Sequence, residues 1–140
     1  MAQVQVQPTL NVGEIVTSLS AIKARHGALP WTERLIVNER MTATVICQEP
    51  GHQNDWHYHI VDEWWMIAEG QLAWEIEGYG PPRYVQAGDF VYVPANHFHL
   101  IHVVGDQPAI RIAVSYTGEP HRHERMEPPA PPRPTGVRPS

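Results

Sequence analysis

The sequence predicts an all-β domain, a sandwich or barrel of short strands, and three observations support this prediction. Residues 35–116 consist of short runs rich in β-branched and aromatic residues, which favour strands. Glycine, proline, asparagine and aspartate separate these runs about every 8–12 residues, the spacing typical of sandwiches and barrels. Hydrophobic residues make up 42% of the 140-residue chain, which is enough to bury a core without disulfides.

The predicted strands follow a short helix. The segment EIVTSLSAIKARHG, from Glu14 to Gly27, has apolar residues at helical spacing and predicts an amphipathic helix. Residues 1–12 read as an extended lead-in to it. The strands that we expect after it are RLIV, MTATVICQ, HYHIVDEWWMIA, QLAWEIEG, RYVQ, DFVYVP, HFHLIHVV and AIRIAVSY.

The last part of the chain differs in composition from the predicted strands. Proline is frequent from Glu127 onwards, which excludes a sheet and favours an extended polyproline-like tail. His121 and His123 precede this region, and we expect them on the surface without a carboxylate or histidine partner. The predicted organisation is an N-terminal extension with the helix (1–30), a barrel (31–117) and a Pro-rich tail (118–140).

Charge and composition exclude several classes of partner. The net charge of -5, with a single lysine, gives no basic surface for nucleic acid. No apolar run reaches the roughly 18 residues that span a bilayer, and the N-terminus lacks a signal-peptide pattern. A single cysteine, Cys47, fits a reducing compartment. We therefore expect a cytoplasmic protein that binds a small molecule, with no nucleic-acid or membrane partner.

Two segments contain residues suited to binding a metal. In GHQNDWHYHIVDEWWMIAEG, strand alternation points His57 and His59 to the same side, with Cα atoms about 7 Å apart. Glu63 begins the next strand and can supply an oxygen ligand. The segment GDFVYVPANHFHLIH adds His99, with His97 close by at a turn. These residues could instead be buried without a metal, but that would be costly unless each made its own hydrogen bonds.

The residue types restrict which metal would bind. Neutral imidazoles with one carboxylate suit iron, manganese, nickel, copper or zinc, and suit calcium poorly. Because no cysteine ligands lie nearby, a closed structural zinc site is not expected. Three or four protein ligands leave coordination positions open on a six-coordinate metal, as catalysis requires.

Both segments resemble the motifs of the cupin family. The first motif, G(x5)HxH(x3)E(x6)G, is complete, and its positions are filled by Gly51, His57, His59, Glu63 and Gly70. The second motif, G(x5)PxG(x2)H(x3)N, is matched at Gly88, Pro94 and His99. It departs at Asn96, which replaces a glycine, and at Val103, which replaces an asparagine. Asparagine tolerates the left-handed backbone that glycine usually supplies, so the turn is expected to form.

The resemblance implies a fold and a ligand set. The fold would be a double-stranded β-helix, or jelly-roll, barrel with one divalent transition metal per chain in its mouth. The ligands carried over from the motifs are His57, His59, Glu63 and His99. Fe(II) is the metal that we favour, with Mn, Ni, Cu and Zn as alternatives.

Other residues are candidates for the substrate pocket. His97 is a candidate acid–base group because it lies beside the second motif. Trp65 and Ile67 share the strand face of Glu63, so we expect them to line the pocket. Arg111 is either on a solvated strand face or an inward group that binds a carboxylate.

The predicted function is that of a metal-dependent enzyme acting on a small enolic, phenolic or aromatic substrate that chelates through oxygen. We favour a dioxygenase, with O2 as co-substrate. The same ligands would serve a non-redox isomerase, cyclase, decarboxylase or lyase, and a non-catalytic cupin that binds a small molecule is a third possibility. A homodimer is expected because aromatic strand faces and open sheet edges need covering.

Overall fold

The computed structural model describes residues 15–125, which form one helix and eight strands. The predicted lead-in over residues 1–12 and the proline-rich region from Glu127 lie outside the described residues. The elements are α1 (Leu19–Arg25), β1 (Trp31–Val37), β2 (Met41–Gln48), β3 (Glu63–Glu69), β4 (Gln71–Ile76), β5 (Arg83–Gln86), β6 (Phe90–Val93), β7 (His99–Val104) and β8 (Ala109–Tyr116).

The strands form two antiparallel sheets, which confirms the predicted all-β fold. One sheet has the order β1-β2-β8-β3-β6, and the other has the order β5-β4-β7. Both sheets contribute to one apolar core, in which Trp65 and Ile67 of β3 meet Leu72 and Trp74 of β4. The ring centres of Trp65 and Trp74 are 5.7 Å apart, in an edge-to-face arrangement.

The helix is shorter than the sequence predicted. It begins at Leu19 rather than near Glu14, because the Ser18 hydroxyl accepts a hydrogen bond from the Ala21 N–H (3.1 Å) and caps the first turn. Ile15, which the helical pattern included, is exposed. The helix instead buries Ile22 against the outer face of β2 and β8. That sheet is therefore covered on both sides near this end.

One predicted strand is interrupted between the predicted metal ligands His59 and Glu63. Of HYHIVDEWWMIA, only the part from Glu63 onwards belongs to a regular strand, β3, which ends one residue beyond it at Glu69. His57 and Tyr58 each form an isolated bridge, and a bend separates them from β3. The interruption lets the two histidines and Glu63 approach one point from different backbone segments.

Two turns depend on particular residues. At Gly70, between β3 and β4, φ is +81° and an added Cβ would lie 2.5 Å from the Pro108 carbonyl oxygen, so only glycine fits without a shift. Asn96 has a φ of 67°, the left-handed value predicted for the position where the cupin motif has glycine.

Within residues 15–125, no helix is long and apolar enough to cross a membrane.

Candidate metal centre

Four side chains converge at one end of the barrel. His57, His59, Glu63 and His99 are all buried, and one donor atom from each lies within 4.8 Å of the others. The four residues that both the strand pattern and the cupin resemblance indicated are therefore brought together by the fold.

Backbone pairing positions these ligand residues. His57 pairs with His99, the first residue of β7, through two hydrogen bonds of 3.2 and 2.7 Å. Glu63 is the first residue of β3 and pairs with Val93 of β6. The ligands thus come from both sheets at the same end, where the strands open into the barrel mouth.

Each histidine is oriented by a backbone carbonyl. His57 donates from Nδ1 to the backbone oxygen of Asp55 at 2.8 Å. In the same way, His59 donates to the backbone oxygen of Pro120 at 2.9 Å, and His99 donates to that of His97 at 3.2 Å. A carbonyl can only accept, so Nδ1 carries the proton and Nε2 is left as a lone-pair donor facing the cluster. This is the usual outer hydrogen bond of a metal-binding histidine.

The distances and the missing hydrogen bonds fit a metal. Glu63 Oε1 lies 3.1 Å from His99 Nε2 and 3.4 Å from His59 Nε2. Donor atoms in neighbouring positions around an ion at about 2.1 Å are about 3 Å apart. Glu63 Oε1 and His99 Nε2 are buried, and neither has a hydrogen-bond partner among the described residues. Because such orphaned atoms are costly, a cation is the ligand that satisfies both.

The charge states also suit a metal. Burial, followed by the nearby His99, lowers the pKa of His57 to about 4. The pKa of His59 is also lowered, chiefly by burial. Burial alone would raise the pKa of Glu63, but the electrostatic effect of the nearby His99 and His59 rings holds it below its usual value. Near neutral pH His57 and His59 are therefore neutral and Glu63 is a carboxylate, the forms that bind metal.

Residues 118–125, here called the C-terminal strap, cover the mouth. The strap pairs with the histidine segment through two hydrogen bonds between Tyr58 and Arg122, of 3.0 and 3.1 Å. Its Pro120 carbonyl orients His59, and the His121 ring stacks on His57 with centres 3.7 Å apart. Sequence reasoning missed this element because its contacts span more than 60 residues of chain.

The prediction that His121 and His123 lack partners is wrong. Asp55 accepts from His121 Nδ1 at 3.2 Å and from His123 Nε2 at 2.5 Å. Burial would raise the pKa of Asp55, but the hydrogen bond from His123 and the nearby histidines lower it to about 2. No local sequence pattern connects Asp55 with the strap. Asp55, His57 and His121 also form a second, more exposed group with ligand atoms within 4.8 Å.

His97 lies beside the cluster but outside it. It is buried, its Nδ1 donates to Glu77 O at 2.7 Å, and its ring packs edge-on against Tyr79 at 5.4 Å. Its Nε2 is buried and has no hydrogen-bond partner among the described residues. The acid–base role predicted for His97 stays a prediction.

The three candidate pocket residues all lie inside the barrel. Trp65, Ile67 and Arg111 are 7%, 1% and 3% exposed, whereas Trp64, on the other face of β3, is 52% exposed. The alternative of a solvated strand face for Arg111 is therefore wrong. It pairs with Ile67 across β3 and β8, so both side chains point into the barrel. Contact of these residues with a substrate stays a prediction.

Comparisons with known proteins agree with this architecture. A family model described as "Cupin domain" matches residues 44–115, about half of the chain. A cupin-like protein from Thermotoga maritima is 23% identical, with a TM-score of 0.57 over 61% of this chain and 67% of its own. An RmlC-like cupin family protein from Methanocaldococcus jannaschii, described as having a double-stranded β-helix fold, is 24% identical, with a TM-score of 0.59 over 66% and 84%.

A third solved structure, the polyketide cyclase RemF from Streptomyces resistomycificus, is 19% identical, with a TM-score of 0.60 over 65% of this chain and 68% of its own. At these identities the likeness shows the double-stranded β-helix fold alone. No curated protein matches the sequence significantly.

Proposed function

This chain belongs to the cupin family, and we propose that it is a metal-dependent enzyme acting on a small enolic, phenolic or aromatic substrate that chelates through two oxygens. We further propose that dioxygen is its co-substrate. The observation that carries the proposal is the buried cluster of His57, His59, Glu63 and His99, whose donor atoms face one another. Four protein ligands leave two positions open on a six-coordinate metal, which is enough for a chelating substrate or for one substrate oxygen and dioxygen.

The metal would supply Lewis-acid stabilisation of an enolate or phenolate and, if it is redox-active, a means of using dioxygen. The protein's own contribution is to hold the ligands in one geometry. Carbonyl hydrogen bonds fix all three imidazoles, and all four ligand side chains are buried. A dry, preorganised site strengthens the stabilisation of developing negative charge.

The apolar interior favours a flat substrate over a sugar phosphate. Trp65 and Ile67 are buried below Glu63 on the same strand face. Apart from Arg111, no Lys or Arg side chain among the described residues is buried, so a phosphate group would find few partners. An aromatic or enolic ring could pack against the indole while its oxygens reach the open metal positions.

The reaction type is tested by metal content together with oxygen uptake. The protein is purified without a chelating tag, its metals are measured, and dioxygen consumption is followed with a panel of diketones and phenols. Stoichiometric iron or copper with turnover-linked oxygen uptake supports the dioxygenase. Turnover of the same compounds without oxygen uptake, with zinc or nickel bound, contradicts the oxygen proposal and indicates a non-redox isomerase, cyclase, decarboxylase or lyase.

The ligand assignment has a separate test. His59→Ala should abolish stoichiometric metal while the circular dichroism spectrum of the barrel is kept. His102→Ala is the matched control, because His102 is a half-buried histidine on β7 outside the cluster. Full metal occupancy in the His59 variant would refute the site. Return of every bound compound unchanged, with metal present, would indicate a binding protein instead of an enzyme.

A further inference from the structure

Arg111 is a buried cation without a carboxylate partner. Its side chain is 3% exposed and makes no ion pair with any carboxylate of residues 15–125. One Nη1 hydrogen bond goes to the neutral Gln48 Oε1 at 2.5 Å, and the guanidinium carbon lies 5.3 Å from the Trp65 ring centre. The Nε atom is buried, and no hydrogen-bond partner for it is found in the described part of the chain.

Such an arrangement is costly as a purely structural feature. A guanidinium has five N–H donors, and buried charges are normally paired or fully hydrogen-bonded. Burial lowers the pKa of Arg111 to about 10, so the side chain is still charged near neutral pH. Gln48 and the Trp65 ring stabilise the cation only in part. The remaining donors are available to an anion inside the barrel.

Arg111 lies directly below the metal ligands. Glu63, Trp65 and Ile67 follow one another on the inner face of β3, and Arg111 is opposite Ile67 on β8. The Cα atoms of Glu63 and Ile67 are about 13 Å apart by strand rise. The guanidinium carbon lies 5.3 Å from the ring centre of Trp65, the residue between these two on the inner face of β3.

The charge balance favours an anionic ligand at this level. The negative charge of Glu63 acts electrostatically on the Arg111 guanidinium. If Glu63 binds a divalent ion, its negative charge is shared with that ion, and the interior then carries excess positive charge. A planar carboxylate accepts two parallel hydrogen bonds from a guanidinium and would offset this excess.

We propose that Arg111 forms a carboxylate-binding subsite beneath the metal centre, so that the substrate carries a carboxylate at the end opposite its chelating oxygens. This inference rests on the proposed function, because it needs the chelating oxygens to lie at the metal. It narrows the substrate class to enolic or phenolic acids. Trp65 would hold the connecting ring or chain between the two polar ends.

The test compares two chelators that differ in one carboxylate. Protein loaded with zinc, which prevents oxidation, is titrated with catechol and with protocatechuate, which is catechol bearing a carboxylate. Binding is followed by quenching of tryptophan fluorescence, since Trp65 lies in the proposed subsite. The wild type should bind protocatechuate about tenfold or more tightly than catechol, as expected for charged hydrogen bonds. Equal affinities in the wild type would overturn the proposal.

Variants of Arg111 separate the subsite from the electronic effect of the carboxylate on the phenol oxygens. Arg111→Met removes the charge and the N–H donors but keeps an unbranched apolar stem. It should reduce the affinity ratio to the value set by that electronic effect. Arg111→Lys keeps the charge without the planar fork and should give an intermediate ratio. An unchanged ratio in either folded variant would overturn the proposal. A wild-type protein that takes up no zinc would instead contradict the proposed function.

Discussion

At the scale of single residues, the site depends on which nitrogen of each histidine carries a proton. All three Nδ1 atoms donate to backbone carbonyls, so all three Nε2 atoms are presented to the cluster. Glu63 supplies the only negative charge among these ligands, and its pKa is held below the usual value by His99 and His59 against the effect of burial. Removing that charge should affect metal binding more than it affects the fold.

Glu63→Gln should weaken metal binding by at least about 10–100-fold, because an amide oxygen is a neutral and weaker ligand than a carboxylate. Affinity is measured by competition with a coloured chelator. Glu75→Gln, an exposed position on β4, serves as the control and should bind metal like the wild type. Equal affinities in the two variants would mean that Glu63 is not a ligand.

The metal-free protein should lose stability as the pH falls from about 6.5 to about 4. Burial and His99 lower the pKa of His57 to about 4 in the folded protein. Between these values the unfolded chain takes up a proton that the folded chain does not, so acid favours unfolding. The free energy of unfolding should decrease by up to about 3 kcal/mol from this group.

Urea denaturation over a pH series after removal of metal measures this effect. His57→Gln should give a flatter profile above pH about 4.5, because glutamine does not titrate. Identical pH profiles for the wild type and the variant would show that His57 is not held neutral by its surroundings.

At the scale of elements, the metal ligands could be predicted from the sequence, whereas the inward orientation of Arg111 and the strap could not. His57, His59 and Glu63 lie within seven residues, so strand alternation and the motif spacing find them. Arg111 could be placed on a strand, but its face could not be chosen from Ile110 and Ile112, since the five-stranded sheet is covered on both sides. The strap was missed because its sequence is polar, proline-bearing and distant from the residues that it contacts.

The strap should strengthen metal binding. Truncation after Thr117 removes the Pro120 carbonyl from His59 and the stacked His121 ring from His57. We expect metal affinity to fall about 10–100-fold, the usual cost of losing an outer hydrogen-bond partner, with the barrel still folded. Truncation after Arg125 is the control and should leave the affinity unchanged. Equal metal affinities of the two truncated proteins would show that the strap does not contribute to metal binding.

At the scale of the whole molecule, the two sheets enclose a core that leads from the metal ligands to Arg111. The outer face of β3 and β6 is different, because Trp64 is 52% exposed and Phe90 is 65% exposed. The homodimer predicted from the aromatic strand faces remains a proposal. Large exposed apolar side chains on neighbouring strands are consistent with a subunit contact.

Light scattering after size-exclusion chromatography tests the dimer. We expect twice the mass of one chain for the wild type and the mass of one chain for Trp64→Lys. Tyr84→Lys, an equally aromatic and 74% exposed position on β5 of the other sheet, should stay dimeric. A monomeric wild type at all concentrations would contradict the proposal.

We propose that three histidines and one glutamate hold a single divalent ion. X-ray absorption at the metal edge, on protein purified without a chelating tag, tests it most directly. We predict one ion per chain with three imidazole nitrogens and oxygen ligands, and loss of both the ion and its spectrum in His59→Ala. An ion with fewer imidazole ligands, or the same spectrum in His59→Ala, would contradict the account.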